Sequence, residues 1–315
     1  MAFKYINPGY VALLDSNATE VTQITDKTKS KTGVGFNQRY TNVGVTLPDF
    51  TAGDDFWGKF DFFIQYPTWN SQYIYCYIPN TNQRGIQINF PSSSTNTVSI
   101  VHRYDSSSVT LVSGLFEIVG FKWNSINTVT FHAKLGNSST AKLEIFVGDN
   151  KFVSTGRAMA YSESYAKKAI LLSDYPNVWF SNIIFSNEEI SPKEQTLALP
   201  ISQTITDMTE SSNGIYLADA ANQTLLQSVD VAQLIENYGA SSAVTGIALI
   251  GNPAYKTATG LANLTALSKA GDVVTEHNTH SLSDDTSSVI MDGRAIDNMT
   301  IADLQNMQFG WKVGE

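Results

Sequence analysis

The side chains in this sequence with the most chemical potential are scattered carboxylates, four histidines and an alternating run of tyrosines. Carboxylates are the first test, because glycoside hydrolysis needs an acid and a nucleophile or base roughly 5 to 9.5 Å apart across the sugar bond. A strand supplies such a pair when the two residues are two or four apart on one face. Glu117, Glu144 and Glu163 each lack an acidic partner at that spacing, while Glu188 and Glu189 are adjacent and would point to opposite faces of a strand. His102, His132, His277 and His280 have no neighbouring motif to orient them, and no GxSxG elbow presents a serine nucleophile. His277 and His280, with Glu276, Asp284 and Asp285 nearby, are the one place to weigh a metal. Three residues apart, the two histidines fall on opposite faces of a strand, and only a turn would join them. No catalytic residue and no metal ligand is assigned, and the chain reads as a non-enzyme.

Sugar binding leaves a softer trace: aromatic rings that stack on sugar faces, with Asn, Asp and Tyr to hydrogen-bond hydroxyls. In the run YIYCYI, Tyr73, Tyr75 and Tyr77 share one strand face while Ile74, Cys76 and Ile78 share the other. The Ile-Cys-Ile face is the better core. The tyrosine face then either lines a groove or packs under a neighbouring loop. Trp69, in the polar stretch PTWNSQ, is the preferred exposed aromatic, so the candidate ligand-binding residues are Trp69, Tyr73, Tyr75 and Tyr77.

Composition narrows the partners. The 315 residues carry a net charge of -9 with only 16% charged residues, without the basic excess that binding nucleic-acid phosphates or an anionic membrane requires. Cys76 is the single cysteine, so no intramolecular disulfide forms; set between aromatics with no flanking cation, it reads as a small buried hydrophobe. No stretch is long and apolar enough to insert in a membrane, and the N-terminus MAFKYINPGY has no export-signal core. The lysines of DKTKSKTG read as a solvated loop rather than a binding site.

The elements that must hold these residues are mostly strands. Short β-compatible runs at 56–65, 73–78, 85–90, 98–104, 128–135, 142–147 and 178–185 are separated by turn clusters such as NTNQRG, PSSSTN and DSSS, the spacing of a sandwich. In AKLEIFVGDNKFVSTG two such runs meet at Gly148, Asp149 and Asn150, which predicts a tight hairpin. The character changes at SNEEISPKEQTLALPIS, which loses alternation and marks a boundary. Beyond it, Asp230 and Gln233 form a capping-box pattern for a helix that Gly239 stops. A second box, Thr300 with Asp303, predicts a helix with Leu304 and Met307 on one face and Gly310 at its end. Strands are expected at 244–250, 273–275 and 288–291, and TGLANLTALSK fits a strand or a helix equally. The expected domains are residues 1–35, an N-terminal arm or first strands; 36–195, the sandwich; and 196–315, a smaller β-rich domain with two short helices.

Residues 177–194, NVWFSNIIFSNEEISPKE, resemble the closing strand of laminin-G and concanavalin A-like domains, with Ile190, Ser191 and Glu194 at the positions of that pattern. The hairpin over 141–156 is similar to one in the same group. The resemblance implies an N-terminal concanavalin A-like jelly-roll β-sandwich. Members of the group often bind glycans through loop calcium, but no calcium ligand set matches here residue by residue, so no cofactor is assigned. The C-terminal region, closing in MTIADLQNMQFGWKVG, resembles that of tail or other virion proteins of tailed bacteriophages and prophages, carried by Thr300, Ile301, Asp303, Leu304, Phe309 and Gly310. This implies a virion surface structural protein, tail- or head-associated, whose sandwich displays either a host-glycan-binding or a purely structural face. Its expected partners are other virion proteins, copies of itself in a homo-oligomer, and host surface polysaccharide. Release by cell lysis fits the missing export signal. A free-standing bacterial lectin-like protein is the alternative.

Overall fold

The computed structural model describes residues 3–9, 13–14, 21–32, 34–38, 43–65, 72–81, 84–90, 96–104, 107–137, 139–157, 159, 162, 164, 168–173, 178–211, 214–257, 261–286 and 288–314. Two compact units divide the chain, Met1–Leu197 and Ala198–Glu315. Both are built mostly of strands.

In chain order the first unit holds β1 (Lys4–Asn7), β2 (Val21–Ile24), β3 (Gly35–Gln38), β4 (Val43–Thr46), β5 (Asp55–Ile64), β6 (Gln72–Tyr77), β7 (Gly85–Phe90), β8 (Thr97–Tyr104) and β9 (Ser107–Leu115). After a one-turn helix, α1 (Phe116–Val119), come β10 (Ser125–Lys134), β11 (Lys142–Val147), β12 (Asn150–Thr155), β13 (Lys168–Ser173) and β14 (Val178–Ser186). They form an eight-stranded sheet, β12-β11-β10-β5-β14-β3-β2 with β1 also on β14, and a six-stranded sheet, β4-β13-β6-β7-β8-β9. Every neighbouring pair is antiparallel.

Strand alternation decides what the two sheets hide between them. Phe56, Phe60, Phe62 and Ile64 of β5, with Val129, Phe131 and Ala133 of β10, are fully buried on one sheet; Ile74, Cys76, Ile86, Ile88, Phe90, Val98 and Ile100 answer from the other. Phe62 and Phe90 meet at 6.2 Å between ring centroids, edge to face. Each such side chain contributes roughly 1.5 to 3 kcal/mol by leaving water. Gly58 pairs with Phe131 and makes room for it, since a Cβ at that position would sit 2.2 Å from the ring. The predicted hairpin is β11–β12, turning at Gly148, whose φ of +57° suits glycine.

β14 is buried along all nine residues. A bulge between Ser181 and Ile184 breaks its register with β5, and Asn182 sits there at φ +51°. The Asn182 amide serves three segments: its Nδ2 donates to Asp61 at 3.0 Å, its Oδ1 accepts from the Thr196 backbone at 2.8 Å, and its own N–H donates to the Pro8 carbonyl at 3.1 Å. One buried asparagine at the bulge therefore ties β14 to β5, to the Pro8 segment and to the Thr196 segment.

The second unit comprises β15 (Ile201–Thr206), β16 (Thr209–Glu210), β17 (Tyr216–Leu217), β18 (Thr224–Val229), α2 (Ala232–Tyr238), β19 (Ala243–Gly251), β20 (Asn263–Ala270), β21 (Val273–Ser281), β22 (Ile290–Thr300), α3 (Ile301–Leu304) and β23 (Met307–Gly314). A five-stranded sheet runs β15-β18-β23-β20-β21, with two-stranded sheets β16-β17 and β19-β22 beside it. Its cores gather Val231, Ile301, Leu304 and Phe309 in one cluster and Ala254, Ala266, Ile290 and Trp311 in another.

Several expectations change here. The Thr300–Asp303 capping box is present, but the helix it starts is one turn long, and Met307 and Gly310 belong to β23 rather than to a helical face and its stop. Gly310 is needed mid-strand because a Cβ there would lie 1.7 Å from the Leu225 carbonyl oxygen. At α2 the Asp230 carboxylate accepts from Ala232 N–H at 2.9 Å, and Val231, not Asp230, is the capping position, so the Gln233 box does not form. The stretch that fitted strand or helix is β20, the strand expected at 273–275 runs on to Ser281, and the one expected at 288–291 runs to Thr300. Within DSSS, Ser107 and Ser108 open β9 instead of turning.

Candidate functional site

The sandwich has two outer faces, and they differ in what covers them. On the eight-stranded sheet the outward side chains of β5 are largely spent on internal ties. Asp61, fully buried, accepts from Thr128 Oγ1 at 2.6 Å and from Asn182, and faces Lys31 Nζ at 3.7 Å. Lys59, 1% exposed, donates to the carbonyls of Pro192 and Glu194, and Lys4 pairs with the Glu194 carboxylate. Burial pushes the Lys59 ammonium down to about 8, against the pull of Asp61. Lys59 and Lys4 thus fasten the segment around Glu194 to this face. Two lysines of the expected solvated loop join in: Lys31 on Asp61, and Lys29 over the Trp179 ring at 4.4 Å.

Further along the same face, strand register assembles a cluster that sequence spacing did not announce. His132 pairs across the sheet with Trp57 on one side and Glu144 on the other. Its Nδ1 lies 2.8 Å from Glu144 Oε2 and its Nε2 lies 2.7 Å from Asp55 Oδ1, with the Trp57 ring stacked on it at 4.3 Å. Lys151 and Lys142 reach the other Glu144 oxygen at 2.6 and 2.9 Å. Burial pushes the Glu144 carboxyl up, yet hydrogen bonds from Lys151, His132 and Lys142 outweigh it and hold the group at about 2. Both imidazole nitrogens and the carboxylate are occupied, so this group ties β5, β10 and β11 together and offers no open base or nucleophile. The residues lie 77 and 12 positions apart, which is why no local motif flagged them.

The outer face of the six-stranded sheet carries the tyrosines. Ile74 and Cys76 are buried between the sheets as expected, and burial pushes the Cys76 thiol up. Tyr73 and Tyr75 are half-buried on the opposite side. Their rings stack at 6.0 Å, and Tyr75 stacks on Tyr77 at 5.8 Å. Tyr77 is 7% exposed and closes the ladder from below; burial raises its hydroxyl, with Arg103 nearby pulling the other way.

Register adds the neighbours. Tyr73 pairs with Asn89, Tyr75 with Gln87 and Tyr77 with Gly85; beyond β7, Asn89 meets Ser99 and Gly85 meets Arg103. Gln87 Nε2 donates to Asn89 Oδ1 at 2.5 Å. Arg103 shares its row with Gly85 and Tyr77, and its guanidinium carbon lies 5.6 Å from the Tyr75 ring centroid. One surface therefore combines stacked rings, two amides and a guanidinium, the groups that recognise sugar faces and hydroxyls. Its strands β4, β13, β6, β7, β8 and β9 contain no Asp or Glu, so two-carboxylate glycosidase chemistry has no groups on these strands.

Trp69 lies outside the described residues. His277 and His280 fall on β21, where His277 Nε2 meets Ser268 Oγ at 2.8 Å and His280 Nε2 meets Asp292 Oδ1 at 3.3 Å. No cluster of three or more His, Cys, Asp or Glu able to hold a metal occurs among the described residues. Among them, too, no helix is long and apolar enough to cross a membrane.

No family model and no curated protein matches the chain. Solved structures do. An endo-β-1,4-glucuronan lyase from the fungus Trichoderma reesei is 12% identical over 57% of this chain and 94% of its own, with a TM-score of 0.40. The CBM2 module of the evolved Dit of Lactobacillus casei BL23 phage J-1 is 9% identical over 60% and 99%, with a TM-score of 0.37. The binding domain of botulinum neurotoxin DC, in complex with SialylT, is 12% identical over 90% and 73%, with a TM-score of 0.33.

Proposed function

We propose that the chain is a glycan-binding protein of a bacteriophage or prophage virion surface, and that the outer face of its six-stranded sheet is the binding surface. One observation carries the binding half: Tyr73 and Tyr75 stack as a ladder with Gln87, Asn89 and Arg103 in register beside them, while the opposite outer face is committed to internal ties. Trp69, three residues before β6 in the chain, remains a candidate from the sequence alone. The virion half is supported by the C-terminal pattern of Thr300, Ile301, Asp303, Leu304, Phe309 and Gly310. These residues build α3 and the middle of β23, whose partners are β18 and β20.

A glycan array probed with purified full-length protein, with and without calcium, tests binding, and light scattering on the same sample gives its mass. Binding to a defined surface glycan by a closed oligomer is the expected result. Binding by a monomer would favour the free-standing lectin. Folded protein that binds no glycan at high concentration would remove the lectin surface and leave a structural role.

A further inference from the structure

We infer that the tyrosine face is selective for acidic sugar chains, those carrying a carboxylate or a phosphodiester on a regular repeat. This deepens the glycan-binding proposal and rests on it. The chain as a whole is acidic, 29 Asp and Glu against 20 Lys and Arg, yet none of those 29 falls in the six strands of this sheet. The same strands hold Arg103 and Lys168. The contrast with the eight-stranded sheet is sharp, because there Asp61 and Glu144 stand on outward positions and meet lysines.

Arg103 is the residue that makes the charge usable. Among the described residues no carboxylate pairs with it; its contact is the Tyr75 ring. A guanidinium over an aromatic face keeps its in-plane N–H fork available to an oxyanion, and that planar fork fits carboxylate and phosphate alike. Placed at the end of the Tyr73–Tyr75 stack, it meets the charged substituent of a sugar whose ring lies on the tyrosines. Gln87 and Asn89, on β7 in the rows of Tyr75 and Tyr73, are positioned for the neutral hydroxyls.

The test uses the full chain and three immobilised or titrated polymers of matched length: a polyuronate, a polyglycerol phosphate and a neutral glucan. Wild type should bind at least one acidic polymer tenfold or more tighter than the glucan, with that preference shrinking as salt rises. The two acidic arms identify which oxyanion the fork takes. Arg103→Gln should cut the acidic-to-neutral ratio at least fivefold, and Arg103→Lys, which keeps the charge without the fork, should fall between. Thermal unfolding of each variant separates lost binding from lost fold. Equal wild-type affinity for acidic and neutral polymers, or a ratio unmoved by Arg103→Gln in folded protein, would overturn the inference while leaving the glycan surface standing. Absence of binding to all three, together with a blank glycan array, would overturn both.

Discussion

Arg103 and Tyr75 lie on strands separated by β7, yet the guanidinium carbon comes within 5.6 Å of the ring centroid. The β7 residue in the Arg103 row is Gly85. A Cβ at Gly85 would stand 2.3 Å from the Cys76 carbonyl oxygen, and its φ of +148° is one that side-chain-bearing residues rarely adopt. One glycine thus permits the close approach of β6 to β7 in the row that holds Tyr77 and Arg103.

Gly85→Ala should therefore lower unfolding free energy by about 2 to 4 kcal/mol, as expected where a substitution breaks a special backbone position. A chemical-denaturation midpoint indistinguishable from wild type would mean that this contact is not held as described.

Tyr75→Ala should weaken glycan binding roughly tenfold to a hundredfold, the range for losing a stacking anchor, with a melting temperature only a few degrees below wild type because the ring is half-buried. Tyr75→Phe retains the ring and should retain most of the affinity. Titration calorimetry on the three proteins distinguishes stacking from a hydroxyl-dependent contact.

Two groups of the sandwich make its stability fall in acid. Burial first, and then Arg157, push His102 down to about 4; it is fully buried with Nδ1 2.8 Å from Ser154 Oγ. A histidine held neutral contributes stability that is complete above its usual value near 6.5 and is lost as pH falls toward 4. Glu144, held at about 2 by its cation partners against burial, contributes stability present above about 4.5 and lost as pH falls toward 2. Denaturation at a series of pH values should show both windows, and Glu144→Gln should flatten the lower one while leaving the upper.

Gly310→Ala should disrupt the second unit alone. The added methyl meets the Leu225 carbonyl at 1.7 Å in the β18–β23 pairing, so limited proteolysis should cleave after residue 198 while the first unit remains protected. Equal protection of both units would contradict the account of β23 as the strand that cannot accommodate a side chain at that point.

How much of this was readable in advance follows from range of interaction. Alternation in YIYCYI separated Tyr73 and Tyr75 from Ile74 and Cys76 because facing is a local property of a strand. The hairpin at Gly148 was equally local. The partners of the tyrosines were not: Arg103 reaches Tyr75 only through the β6–β7–β8 register, and no spacing in the sequence encodes it. The same holds for Asp55, His132 and Glu144, whose absence of close acidic neighbours hid a cluster made by three strands. Gly310 misled for the opposite reason: a glycine after a capped turn is a common stop, but here its missing Cβ answers a carbonyl from β18. The composition of the six-stranded sheet, free of Asp and Glu, was present in the sequence throughout and acquired meaning only when the strands were known to be neighbours.

The central claim is tested most directly by titrating full-length protein and its Tyr73→Ala/Tyr75→Ala double variant with the best ligand from the glycan array. Saturable binding by wild type and at least a hundredfold loss in a variant that still unfolds cooperatively is the predicted result. Undiminished affinity in the folded double variant would contradict the account and place any sugar site elsewhere on the molecule.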